Sequence, residues 1–126
     1  MIQTLVVDDH VAVRRQITDL VDGILGCAIC GEASNGQEAF EQVAKLKPDL
    51  VLLDVSMPGT GGIMTAKMIR QIAPNVMIIL LSIHDPAQVA REATSKGVRI
   101  DAFLNKTSVT ENLKTILVSL GLLPKE

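Results

Sequence analysis

Leu50-Val51-Leu52-Leu53-Asp54 decides the fold: four aliphatic residues without a polar break, then a carboxylate. Such a run, lacking the in-out alternation of a half-exposed strand, belongs to a strand covered on both faces, as in parallel sheets. Met57-Pro58-Gly59-Thr60-Gly61-Gly62 follows, and its proline and three glycines exclude a helix interior, so it is a loop. Asp54 thus closes a buried strand. In open α/β sheets, that edge is where ligands bind.

The same pattern repeats along the chain. Leu5-Val6-Val7 runs into Asp8-Asp9, Ala28 to Ala33 is a weaker strand, Val76 to Leu81 runs into Ser82, and Ala102-Phe103-Leu104 precedes Lys106. Helical stripes separate the runs: Val13, Ile17, Leu20, Val21 and Ile24, ended near Gly23 or Gly26; Ala39, Phe40, Val43 and Leu46, closed by Lys47-Pro48. Ile63, Ala66, Ile69 and Ala73 form a third, a helix from about Pro86 to Lys96 a fourth, and Leu113, Ile116, Leu117 and Leu120 a fifth. Ser34 with Gln37, and Ser108 with Glu111, match the capping-box spacing at two helix starts. Five strands alternating with five helices predict one α/β domain over residues 1–126, a doubly wound parallel sheet.

Composition narrows the function. The chain carries a net charge of −2 without a Lys/Arg block, so no nucleic-acid surface is expected of it. Its longest apolar run, Val76 to Leu81, is too short for a bilayer, and no signal peptide opens the chain, so a cytoplasmic protein without membrane contact is expected. With two Phe and no Trp or Tyr, the core must be aliphatic. Cys27 and Cys30 fall in a strand, where their side chains point to opposite faces; they read as fillers rather than a redox or zinc pair.

The strand-end residues carry the chemistry. Asp8, Asp9 and Asp54 in one crevice would repel one another unless a cation held them. Mg²⁺ suits them, because it takes oxygen ligands and keeps several waters. Asp54 is then a candidate nucleophile toward phosphorus, with Ser82 donating to a phosphoryl oxygen and Lys106 adding positive charge. Singly, each has a plainer reading: Asp9 a helix N-cap, Asp8 a solvated strand end, Ser82 a turn residue, Lys106 a solvated cation. Their order on consecutive strands favours a site.

With those residues in place, the whole chain resembles the receiver domains of two-component response regulators. Val6-Val7-Asp8-Asp9-His10 is similar to the acidic-pair motif, and Leu52-Leu53-Asp54-Val55-Ser56-Met57-Pro58-Gly59 to the phosphoacceptor segment. Leu80-Leu81-Ser82 and Ala102-Phe103-Leu104-Asn105-Lys106 resemble the switch hydroxyl and the aromatic-lysine strand; the likeness is greatest to receivers preceding a LuxR-type helix-turn-helix domain. The resemblance implies a flavodoxin-like (βα)5 fold with strand order 2-1-3-4-5. It implies an Asp54 phosphorylated by a histidine kinase or phosphotransfer protein, and Mg²⁺ on Asp9, Asp54 and the Ser56 carbonyl, with Asp8 acting through water. Ser82 and Phe103 would form the switch that repacks the face of helix four, strand five and helix five, with homodimerisation a possible result. Ser56 and His84 sit where family members tune dephosphorylation. Output would pass to a C-terminal effector domain controlling transcription; a single-domain docking regulator and an unphosphorylated pseudo-receiver are alternatives. Thr107 replaces a frequent Pro, Ile83 is bulkier than usual, and Val98-Arg99-Ile100-Asp101 holds a two-residue insertion. An aspartyl phosphatase of the haloacid dehalogenase type is the rival enzyme reading, although Ser56 occupies the place of its second Asp.

Overall fold

The computed structural model describes residues 1–125. Strands β1 (Ile2–Val7), β2 (Cys27–Ala33), β3 (Leu50–Asp54), β4 (Met77–Ser82) and β5 (Ala102–Asn105) alternate with helices α1 (Val11–Asp22), α2 (Gly36–Leu46), α3 (Gly62–Ile72), α4 (Pro86–Ser95) and α5 (Val109–Ser119). All pairings are parallel, in the order β2-β1-β3-β4-β5. This is the expected flavodoxin-like architecture.

Period-two alternation sorts the aliphatics into two layers. Leu5, Val7, Val51, Leu53, Ile78 and Leu80 pack with Ala39, Val43, Ile63, Ala66, Ile69, Val89 and Ala93, so α2, α3 and α4 cover one face. Val6, Leu50, Leu52, Ile79 and Leu81 pack with Ile17, Val21, Leu113 and Leu117, so α1 and α5 cover the other. Leu5, Leu52, Ile78 and Ile79 are fully buried, and each such side chain contributes about 1.5–3 kcal/mol of transfer free energy. Cys27 joins the α1/α5 layer and Cys30 borders the opposite one, as the strand reading requires.

Two local expectations are corrected, and one plainer alternative falls. The capping box at α2 is shifted by one residue. Asn35, not Ser34, is the N-cap: its side chain accepts the Glu38 N–H at 2.9 Å, while the Glu38 carboxylate takes the Ser34 N–H at 3.1 Å. That hydrogen bond from the Ser34 backbone is also what holds the Glu38 carboxyl below its ordinary value. At α5, Ser108 is the N-cap but makes no capping bond; a 3-10 turn over Lys106–Ser108 precedes the helix, and the Ser108 hydroxyl donates to the Asn105 carbonyl. At α1 the N-cap is His10, so Asp9 does not cap.

The segment from Val98 to Asp101 is tied down rather than loose. Asp101 donates its N–H to the Ile78 carbonyl of β4, and its carboxylate accepts the Ile78 N–H at 2.8 Å. Arg70, in the last turn of α3, reaches the same carboxylate at 2.6 Å and donates to the carbonyls of Arg99, Pro74 and Val76. One guanidinium therefore fastens α3, the start of β4 and the approach to β5 at the edge opposite Asp54.

Candidate functional site

Register builds the site. Val7 lies opposite Leu53, so Asp8 and Asp54 leave adjacent strands side by side; Asp54 pairs with Leu81, and Ser82 with Asn105. Gly62 makes the neighbouring loop possible: a Cβ there would collide with the Asp54 carbonyl oxygen and the Val55 Cα. With only a hydrogen in that place, the α3 N-terminus packs onto the end of β3, and the Gly62 N–H reaches the Val55 carbonyl at 2.9 Å.

Asp8 is fully buried and Asp54 is 2% exposed. Lys106 extends across from the end of β5 and places Nζ 2.8 Å from Asp8 Oδ2 and 3.0 Å from Asp54 Oδ1. The Ser56 N–H donates to the same Asp54 oxygen at 3.2 Å. Asp8 Oδ1 accepts the His10 N–H at 2.9 Å. Two buried carboxylate oxygens, Asp9 Oδ1 and Asp54 Oδ2, take no hydrogen bond. Asp8, Asp9, His10 and Asp54 each offer a ligand atom, and all four atoms fall within 4.8 Å of one another.

Charge explains what this arrangement wants. Three carboxylates against one ammonium leave two negative charges uncompensated in a buried place. Burial pushes the Asp54 carboxyl above its ordinary value; the Lys106 ammonium opposes this, and the Asp8 carboxylate adds to it. Burial alone would lower the Lys106 ammonium, but its hydrogen bonds to Asp8 and Asp54 prevail and hold it above its ordinary value. A divalent cation cancels the excess, and the two orphan oxygens are acceptors it would satisfy. The donor set is all-oxygen apart from His10, so Mg²⁺ fits.

Residues 4–118 match the response regulator receiver domain family. The chain belongs to this family. The response regulator GacA of Pseudomonas syringae pv. syringae is 43% identical over 89 residues, which cover 68% of the receiver chain and 41% of GacA. The chemotaxis protein CheY of Thermotoga maritima is 37% identical over 97 residues, covering 77% of the receiver chain and 80% of CheY. A LuxR-family two-component response regulator from Aurantimonas sp. SI85-9A1 superposes with a TM-score of 0.85 at 29% identity, over 94% of this chain and 84% of that one. The receiver chain thus spans well under half of the GacA proteins it matches. Membership in a family of signalling switches removes the haloacid dehalogenase alternative.

The receiver's other named residues lie around this cluster. Ser82 is 4% exposed, and its Oγ accepts the His84 N–H at 2.9 Å, which tightens the turn into α4. Phe103 is half-buried against the α2/α3/α4 layer. Ser56, Ile83 and His84 are exposed at the rim. Asn105 caps the turn after β5: its side chain accepts the Thr107 N–H at 2.8 Å, a donor that a Pro at 107 would lack.

Sequence reasoning passed over Arg14. Its Nη1 donates to the Asp8 carbonyl at 2.9 Å and its Nε meets Glu32 at 3.0 Å, so it holds the strand end that carries the acidic pair. A signal existed. Arg14 precedes Ile17 and Val21 by three and seven residues, which puts a cation on the core-facing stripe of α1. Among the described residues, no helix is long and apolar enough to cross a membrane.

Proposed function

We propose that the receiver is a phosphorylation-driven switch in which Asp54 accepts a phosphoryl group from a histidine kinase or a phosphotransfer protein. An Asp54 oxygen forms the new P–O bond as the P–N bond of a donor phosphohistidine breaks, the electron pair returning to the imidazole nitrogen. The observation that carries this reading is Asp54 Oδ2, a buried carboxylate oxygen without a partner in a cluster short of positive charge. Its companion Oδ1 is fixed by Lys106 and the Ser56 N–H, so the nucleophile is held in one orientation. Asp9, Asp54 and the Ser56 carbonyl would hold Mg²⁺, with Asp8 behind them. The bound ion supplies charge neutralisation for the incoming phosphoryl oxygens.

Lys106 keeps its proton throughout and meets the phosphoryl charge as a fixed cation. The Ser82 hydroxyl exchanges its loop contact for a phosphoryl oxygen, and Phe103 turns further into the α2/α3/α4 layer. The face of α4, β5 and α5 repacks as a result, in the manner of a two-state element biased by one charge change. Ser56 and His84, at the rim, set how readily water reaches the acyl phosphate. The likeness to LuxR-type receivers favours output through a C-terminal effector domain that controls transcription, with homodimerisation on activation, in the cytoplasm. Docking of the isolated receiver onto a partner is the second output.

Incubation with Mg²⁺ and acetyl phosphate, followed by intact-mass measurement, tests the reading. Wild type should gain one phosphoryl group and Asp54→Asn none. Equal gain by both, or no gain by wild type, would reject it.

A further inference from the structure

His10 stands in the cluster without a task in phosphoryl transfer. Its Nδ1 lies 3.2 Å from Asp9 Oδ1 and 3.4 Å from Asp8 Oδ1. The shorter approach is not a hydrogen bond, since Asp9 Oδ1 accepts none. Metal–N and metal–O bonds of about 2.1 Å put neighbouring ligand atoms on one ion about 3.0–3.4 Å apart, for octahedral and tetrahedral angles alike. The His10–Asp9 spacing has that value. Asp54, nine-tenths buried and more, brings its unpartnered oxygen to the same cluster. The imidazole is the exposed member, so it faces the side from which an ion enters.

We propose that His10 is an additional metal ligand, which turns an all-oxygen magnesium site into a mixed N/O site for late first-row divalent ions such as Co²⁺, Ni²⁺ and Zn²⁺. This rests on the reading of Asp9 and Asp54 as the metal-binding pair. Imidazole adds little for Mg²⁺, a hard ion that keeps its waters, and much for the later ions. The site then distinguishes cations by a residue outside the phosphoryl-transfer machinery. When the cellular pool of such ions rises, they displace Mg²⁺ from the same carboxylates.

Calorimetric titration of the full chain with CoCl₂ and with MgCl₂, for wild type and His10→Ala, tests this. Mg²⁺ above its own dissociation constant should raise the apparent dissociation constant of Co²⁺ for wild type, as competition for one site requires. His10→Ala should weaken Co²⁺ about tenfold or more while changing Mg²⁺ less than about twofold. The visible absorption of bound Co²⁺ should also change, because one nitrogen leaves its coordination sphere. Equal weakening of both ions, or of neither, overturns the role of His10. So does a Co²⁺ affinity that added Mg²⁺ leaves unchanged, because the ion then sits elsewhere, for instance on Cys30; the proposed function survives both results. A wild type that binds neither ion defeats the metal site itself.

Discussion

Asp54 concentrates the energetic conflict of the molecule. A carboxylate that is 2% exposed, beside the buried Asp8, is stabilised chiefly by one ammonium. Asp54→Asn keeps the acceptor for Lys106 and Ser56 while removing a charge, and should stabilise the metal-free domain by about 1–2 kcal/mol at neutral pH in urea melts. Because the folded-state carboxyl is raised, its favourable contribution is complete below the ordinary value of 3.8 and is lost as pH climbs through the raised one. The advantage of the Asn variant should therefore vanish toward acid pH; an advantage that grew there would contradict the assignment. Asp8, Asp9, Asp54 and Lys106 were legible in the sequence because strand ends in a parallel sheet converge on one edge. The contribution of Arg14 was not, since a cation within an apolar stripe has many meanings until its acceptor is known. Nor did the sequence reveal that Ser82 spends its oxygen on the His84 N–H.

At the scale of elements, strands and helices could be read because aliphatic runs and helical stripes alternate with Pro and Gly punctuation. The strand bounds moved by a residue, β4 beginning at Met77 and not Val76. The cap of α2 was misplaced for a physical reason. Ser34/Gln37 and Asn35/Glu38 satisfy the same spacing one residue apart, and the ionised Glu38 is the better acceptor beside a helix N-terminus. The other end of that helix stores strain: Lys47 has φ 49°, the left-handed region, and is the single non-glycine with positive φ among the described residues. Lys47→Gly should raise stability by about 0.5–1 kcal/mol, read from thermal melts. The segment before β5 could not be foreseen as fastened, because its anchor, Arg70, lies 31 residues from Asp101. Asp101→Asn leaves the Arg70 guanidinium short of its countercharge and should cost about 2–3 kcal/mol. Adding Arg70→Met should cost less than the sum of the two single changes, since they share one interaction.

For the whole molecule, the two edges of the sheet have opposite characters. One gathers carboxylates and an ammonium around unmet acceptors, and the other is fastened by Arg70 and Asp101. Ligand binding to the first edge should appear as global stability. Mg²⁺ at a hundred times its dissociation constant should raise unfolding free energy by about 2.7 kcal/mol, with the gain abolished in Asp54→Asn. A melting temperature insensitive to Mg²⁺ in the wild type would speak against coordination there. The lateral borders of the sheet have a consequence of their own. β5 is only four residues long, and β2 is broken by an irregularity where its pairing slips between Thr4 and Leu5. Neither outer strand offers a long, flat row of free amides to another molecule. A chain in which 48% of residues are hydrophobic is thereby denied the template from which fibrils grow.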